Sequence, residues 1–522
     1  MPFENETTFV RMQKQGREAE FHERYERALE DVRRYFGKEY PNIVVRDITE
    51  ERKIKDVSPI DGSEIATFQL ASKESVGEAL DVLNRNYRSW YWKGYVHRAM
   101  TFLRAAEMLS ERKFEFAALL TYENGKNRTE AMADVDEGID FMRYYALNLI
   151  ENQGFNRFTG RGYDNEESMS YMKPYGVFAV IAPFNFFAIT VGMTTGPLIT
   201  GNAVVLKPSS DIPLASYLFV RLLHEAGVPK EVLAFLSGSG GVVGTALVED
   251  PRIGGLVFTG SKDVGMKLFH KISEKVPKPA ITEMGGKDCV VVTNRANLDK
   301  AVQGVIRAAF GYAGQKCSAA SLVFVQSGVY DRFLDMLVKE ASKIKPDDPR
   351  KKETFLNPVV NRDAFEKYRN LIPTLQKEGR VLTGARVEER PGFYVHPTIV
   401  ADLSDDAYTV RNELFLPILG VLKFSTLEEA VRRINSLDYG LTGGIFSEDP
   451  EEVRYYFENI DVGVVYANRA RGASTGAMVG SQPFVGWKLS GSTGKGTGSY
   501  YYLQQFLREQ AVTVAHPEDI HP

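Results

Sequence analysis

Cysteine is almost missing from this chain, with two thiols in 522 residues. Two thiols cannot build a disulfide framework, and their scarcity suits a reducing compartment, so a cytoplasmic location is expected. Histidine is nearly as rare. The seven histidines show no paired spacing, and neither cysteine has a cysteine or histidine close by in the sequence; no metal site is expected. Long apolar runs are absent, since no uninterrupted stretch approaches the roughly 18 residues of a membrane span. The opening "MPFENETTFVRMQKQ" has no apolar core and carries acidic residues, so neither a secretory signal nor a transit peptide is expected. A charge excess is missing too. With 64 basic and 68 acidic side chains the net charge is -4, which argues against a nucleic-acid partner.

What remains is the composition of an ordinary globular protein, 43% hydrophobic and 25% charged. Amphipathic helices fill much of the first 150 residues. Then the texture changes: "ESMSYMKPYGVFAVIAP" reads as strand, turn, strand, and "NAVVLKPS" as a short β-branched run. "IGGLVFTGSKDVGMKLFHKIS" reads as strand, turn, helix. A second alternating series starts near "DCVVVT". Short buried strands alternating with helices predict parallel sheets covered on both faces. The expected class is therefore α/β, with two doubly wound domains joined near residue 285. Residues 1–154 and 176–285 would form the first and 286–488 the second. Segments 155–175 and 489–522 would form a small oligomerisation arm and tail.

Two glycine-rich turns invite phosphate binding. "GSGGVVG" contains Gly238, Gly240 and Gly244, a GxGxxxG spacing unlike the dinucleotide fingerprint, while "GSKDVG" contributes Gly260 and Ser261. Either could set a helix N-terminus against a pyrophosphate, and either could be plain strand-to-helix punctuation. "GSTGKGTG" at 491–498 is a decoy, because it lacks the Ser or Thr that a P-loop carries directly after GK. Of the two thiols, Cys289 lies in the apolar strand "DCVVV", whereas Cys317 sits among small and polar residues in "GYAGQKCSAASLV".

The motifs "APFN", "LKPSS", "FTGS", "TEMGGK", "GQKCSA", "NELFLP" and "GLTGGIF" occur in that order along the chain. The chain resembles the aldehyde dehydrogenase superfamily over nearly its whole length. The resemblance implies a Rossmann-like cofactor domain and a catalytic domain. It makes Cys317 the nucleophile, Asn185 an oxyanion donor together with the Cys317 N–H, and Glu283 the general base. It places Lys207 and Glu413 on the riboses of NAD and Ser261 on the pyrophosphate, with Gly240, Gly244 and Gly260 in the surrounding turns. Ser210 stands where many NAD-specific relatives carry Glu, so NADP is admitted beside NAD.

"GQKCSA" followed by "STGAMVGSQPFVGWKLSG" resembles more narrowly the Δ1-pyrroline-5-carboxylate dehydrogenases, which oxidise L-glutamate γ-semialdehyde. That resemblance implies carboxylate recognition by Ser318 and the N–H groups of Gly476 and Ala477, with Lys316 adding positive charge. Phe186 and Phe484 would sandwich the methylene chain and Glu130 would face the ammonium. "SQPFVG" departs from the common "QQPFGG" at Ser481 and Val485. The small-molecule substrate would come from a separate proline dehydrogenase, and a homodimer or higher homo-oligomer is expected. Another semialdehyde dehydrogenase, such as one for succinate semialdehyde, and a non-catalytic binding protein of the same fold are the alternatives.

Overall fold

The computed structural model describes residues 3–470 and 478–517. Two seven-stranded sheets organise it. The first uses β1 (Asn42–Ile43), β2 (Asp47–Ile48), β3 (Val177–Ile181), β4 (Ala203–Lys207), β5 (Leu233–Phe235), β6 (Ile253–Gly260) and β7 (Ala280–Met284). Its order is β7-β6-β3-β4-β5-β1-β2, parallel from β7 to β5, with β1 and β2 added antiparallel. The second uses β8 (Asp288–Val292), β9 (Ala320–Gln326), β10 (Arg380–Thr383), β11 (Thr398–Ala401), β12 (Ile418–Phe424), β13 (Thr442–Phe446) and β14 (Val464–Ala467). Its order is β10-β11-β12-β9-β8-β13-β14, parallel except for the edge strand β10. β3, β4 and β8 are buried at every position, as β-branched runs covered on both faces must be.

The helices that matter for the site are α1 (Arg128–Glu151), α2 (Phe187–Ile199), α3 (Pro213–Ala226), α4 (Lys262–Ile272) and α5 (Leu298–Phe310). α1 starts where the Asn127 side chain accepts the Glu130 N–H. α3 has Pro213 at its first position and ends on Gly227 at φ 110°, a left-handed cap that suits glycine. The "GSGGVVG" turn winds from Gly240 to Gly244 with π-type bonds into a five-residue helix. Only the second glycine turn leads into a helix of several turns, α4, with Ser261 at its N-cap.

The two sheets meet end to end. Asn185, Lys207, Gly260 and Glu283 all lie at the carboxyl ends of first-sheet strands, where open parallel sheets bind ligands. Cys317 and Glu413 precede β9 and β12, at the amino ends of second-sheet strands. The chain crosses from one to the other in the three residues between Met284 and Asp288.

The tail divides in a way its composition did not suggest. Leu507–Ala515 does pair with Glu166–Pro174, which also pairs with Arg157–Gly160. Residues before 507 belong to the body. The Met284 N–H donates to the Ser490 carbonyl at 2.7 Å, and Thr282 and Ser492 bond both ways, so this stretch closes the open edge of β7. The decoy "GSTGKGTG" begins here, as an edge partner. Tyr502, Leu503 and Phe506 are then buried against the first core, with Phe506 edge-on to Phe178 at 5.3 Å. Among the described residues no helix is long and apolar enough to cross a membrane. Phe506→Ala should lose about 3–5 kcal/mol of stability, seen as a lower denaturant midpoint; an unchanged midpoint would mean that the tail does not pack as a core element.

Candidate functional site

Two of the three residues in the crossing between the sheets have no room for a side chain. A Cβ on Gly286 would stand 2.5 Å from the Asp288 carboxylate and 2.6 Å from the Cys317 carbonyl oxygen, and one on Gly285 would overlap the Glu413 carboxylate. Instead the Gly286 N–H donates to Glu413 Oε1 at 2.9 Å. Two bare backbone units thus bring the Cys317 loop, Glu413 and the end of β7 with Glu283 into one place.

The loop carrying Cys317 is wound against its own chirality. Tyr312, Ala313 and Gly314 follow one another at φ 50°, 51° and 69°, a left-handed turn that costs non-glycine residues roughly 1–2 kcal/mol each. Polar contacts over-determine it. The Tyr312 hydroxyl donates to the Asn124 carbonyl at 3.0 Å and its N–H to Glu130 Oε2 at 3.0 Å. Gln315, fully buried, accepts the Val360 N–H at 2.8 Å through Oε1 and donates to the Tyr312 carbonyl through both its N–H and Nε2. The Gln315 carbonyl in turn accepts Asn185 Nδ2 at 3.1 Å. This bond uses one amide hydrogen of the buried Asn185 and leaves the other for a ligand.

Asn185 itself sits between β3 and α2, and a buried ion pair holds that turn. Asp134 accepts the N–H groups of Phe187 and Ala188 at 3.0 and 2.8 Å, and pairs with the fully buried Lys126 at 2.6 Å. The Lys126 ammonium lies 3.7 Å from the centre of the Phe186 ring and 4.9 Å from that of Tyr312. Lys126, Asp134 and Gln315 were not singled out from the sequence. Their partners are remote in the chain, and only the loop composition around Cys317 pointed anywhere near them.

The profile of the aldehyde dehydrogenase family matches residues 46–512. The chain belongs to this family. A 1-pyrroline-5-carboxylate dehydrogenase from Geobacillus sp. (strain WCH70) is 38% identical over 499 residues, 94% of this chain and 95% of the relative. The crystal structure of a Thermus 1-pyrroline-5-carboxylate dehydrogenase with bound NAD superposes with a TM-score of 0.93 at 35% identity, covering 99% of both chains. Proline utilization A from Bdellovibrio bacteriovorus superposes at 0.94 and 34% identity, over all of this chain and 54% of its own.

In this aldehyde dehydrogenase burial raises the acids around Cys317. Burial pushes Glu283 up to about 8, opposed by a hydrogen bond from the Gly486 N–H, and its Oε2 is buried without a partner among the described residues. Burial likewise pushes Glu413 up to about 7, opposed by the Gly286 N–H and by Lys367, Lys287 and Lys262. The Cys317 thiol is driven upward by desolvation first, then by Asp288, Glu413 and Glu283, while the Ser318 N–H works the other way. Cys289 is buried in β8 with its thiol donating to the Lys287 carbonyl at 3.2 Å, and packs as a core residue.

Lys207, buried at the end of β4, donates to the Pro208 carbonyl at 2.8 Å, and burial lowers its ammonium to about 8. Ser210 is half-buried beyond it, and Gly240 and Ser261 are exposed at the two glycine turns. Gly244 is buried beside Ile181, and Gly260 is half-buried beside Phe258. Phe484 exchanges backbone bonds with Thr497, and Ser318 is buried next to the thiol. Gly476 and Ala477 lie outside the described residues. One expectation needs correction. Lys316 and Glu130, read as separate ligand contacts, are paired with each other at 2.6 Å across 186 positions. A surplus charge on either is therefore neutralised, a long-range contact that local sequence cannot display. Glu137, two turns beyond Glu130 on the same face of α1, has a carboxylate with no hydrogen bond among the described residues, and burial raises it to about 8.

Gly286→Ala should disrupt this junction, since an overpacked site costs about 1–3 kcal/mol and here the obstruction includes backbone. The measurement is thermal unfolding together with the alkylation rate of Cys317 by iodoacetamide. A variant with wild-type melting and thiol reactivity would refute the close approach.

Proposed function

We propose that this aldehyde dehydrogenase oxidises L-glutamate γ-semialdehyde, the open form of Δ1-pyrroline-5-carboxylate, to L-glutamate with NAD. The observation that carries the reading is the meeting of Cys317, Glu283 and Asn185 around the Gly285–Gly286 crossing. The names of the relatives supply the substrate class.

The residues present fit a nicotinamide dinucleotide. The Ser261 side chain does not cap α4, so first-turn N–H groups remain for a pyrophosphate. The backbone at Gly240 and Gly241 faces open space that a ligand can enter. The Lys207 ammonium, with one carbonyl partner, and the Glu413 carboxylate offer a donor and an acceptor for ribose hydroxyls. NAD, when bound, accepts the hydride released from the substrate carbon. Ser210 sets no carboxylate against a 2′-phosphate, so NADP is accepted more weakly rather than excluded.

The protein's part is to hold and activate. The Cys317 thiol gives up its proton to solvent, the thiolate attacks the aldehyde carbon, and Asn185 Nδ2 with the Cys317 N–H receives the resulting oxyanion; one such donor lowers the barrier by about 3–4 kcal/mol. After the thiohemiacetal becomes a thioester, Glu283 takes a proton from the attacking water, and hydrolysis returns the thiol. Phe186 and Phe484 flank the methylenes, and Ser318, with Gly476 and Ala477, receives the α-carboxylate. Glu137 takes the ammonium, because Lys316 and the Tyr312 N–H already hold Glu130. A cationic ligand group beside Glu137 would draw it back to its charged form. Exposed Phe158, Tyr163 and Val514 on and beside the arm support a homodimer or larger assembly, and the substrate would be delivered by a separate proline dehydrogenase.

Initial rates with pyrroline-5-carboxylate and succinate semialdehyde, each with NAD and NADP, test the substrate; no preference for the amino-acid aldehyde sinks the choice. Cys317→Ala should lose NADH formation while still binding NAD, and wild-type turnover would remove the nucleophile. Glu283 acts only when ionised, so the deacylation rate should climb with pH through about 8. Glu283→Gln should show a stoichiometric NADH burst followed by a slow, pH-flat steady state, and an unaltered pH profile would remove it as the base.

A further inference from the structure

The N-terminal segment reaches across the first domain to the turn that leads into Phe484. Asn5 Nδ2 donates to the Val479 carbonyl at 3.0 Å and to Asp140 Oδ2 at 3.0 Å, tying the turn to α1. The Glu6 N–H donates to Asp140 Oδ1 at 2.8 Å, and the Glu6 carboxylate pairs with Lys113 and Arg143 at 3.0 and 2.8 Å. Phe3 lies edge-on to Tyr144 at 5.2 Å between ring centres. These two rings face Gly480, where an added Cβ would stand 2.9 Å from Tyr144 and 3.2 Å from Phe3. Two residues after Glu6, Thr8 donates both its N–H and its hydroxyl to Asp136 at 2.7 Å.

The turn has a compact frame of its own. Met478 and Gln482 exchange backbone bonds at 2.9 and 2.8 Å, and the Gly480 N–H donates to the Gly498 carbonyl at 2.9 Å. That frame reaches α1 through the Gly498 N–H, which donates to the Tyr145 hydroxyl at 3.1 Å, and Gln482 Nε2 donates to the Val465 carbonyl at 3.1 Å; Asn5 is the side chain that bonds the turn's own backbone to α1. The turn ends two residues before Phe484, and the same helix α1 carries Glu137, which senses the charge of Asp140. The segment therefore joins the two elements that the proposed substrate site draws on, without itself being part of that site.

We propose that residues 3–8 act as a clasp that fixes the 478–482 turn against α1, and that this clasp sets affinity for the amino-acid end of the substrate. The inference rests on the substrate reading above. Asn5 is a positioning residue. Its two bonds hold the turn in the shape the substrate needs, so the substrate must order the turn itself when they are missing.

Asn5→Ala is the test. The KM for pyrroline-5-carboxylate should rise about five- to tenfold, the scale of one lost hydrogen bond. The values of kcat, the KM for NAD and the KM for propanal, which lacks an amino-acid end, should stay at wild type. Amide hydrogen exchange at 478–482 should accelerate. Thr8→Val, which weakens the same segment where it does not touch the turn, should lower the melting temperature and leave every KM alone. Wild-type KM and exchange in Asn5→Ala would overturn the clasp, as would an equal rise for propanal and pyrroline-5-carboxylate, or a Thr8→Val variant matching Asn5→Ala. A wild-type enzyme indifferent between the two aldehydes would instead overturn the substrate reading. The exchange rates in Asn5→Ala would still decide the clasp.

Discussion

Everything around the thiol depends on how closely two backbones approach at Gly285 and Gly286. The carboxyl end of one parallel sheet runs into the amino end of the next through three residues, and two of them must be glycine because a carboxylate and a carbonyl oxygen occupy the places their side chains would take. A longer or bulkier connection would separate the sheets by several ångströms. Glu283 would then leave the neighbourhood of Cys317, and Glu413 would lose the N–H that holds it. The junction also explains the electrostatics. Packing acids this tightly, with little water, raises Glu283, Glu413 and Asp288 and the thiol together, so the resting site carries less charge than its composition suggests.

A second layer holds this junction still. Gln315 ties the reversed turn before Cys317 to Asn185 and Val360, and the Lys126–Asp134 pair ties the start of α2 to α1. Both use buried polar groups, which are costly unless fully bonded and rigid once they are. α1 is the common support. One of its faces bears Glu130, Asp134 and Glu137, turned toward Lys316 and Lys126, and another bears Asp136 and Asp140, turned toward the N-terminal segment.

The family and the α/β class were legible because they rest on local order: buried strands of five residues, helices of ten or more, and seven short motifs in sequence. The same locality hides where the first part of the tail packs. Residues 489–506 look polar and glycine-rich, which suits an arm, but β7 presents an unpaired edge that only a distant segment can close. Lys316 and Glu130 are similar. Each is a plausible ligand contact when read alone, and their mutual pairing appears only after α1 and the Cys317 loop are folded together.

By itself, the sequence determined which chemistry the chain could carry, since residue type and motif order set the thiol, the amide and the carboxylates, and periodicity set the sheets. Tertiary structure alone decided which of those groups are neutralised, which are bonded and which are left open. Gln315, Lys126 and Glu137 acquire meaning only from neighbours far along the chain. Hydrogen bonding and desolvation depend on distance in space, and a sequence records distance only along itself.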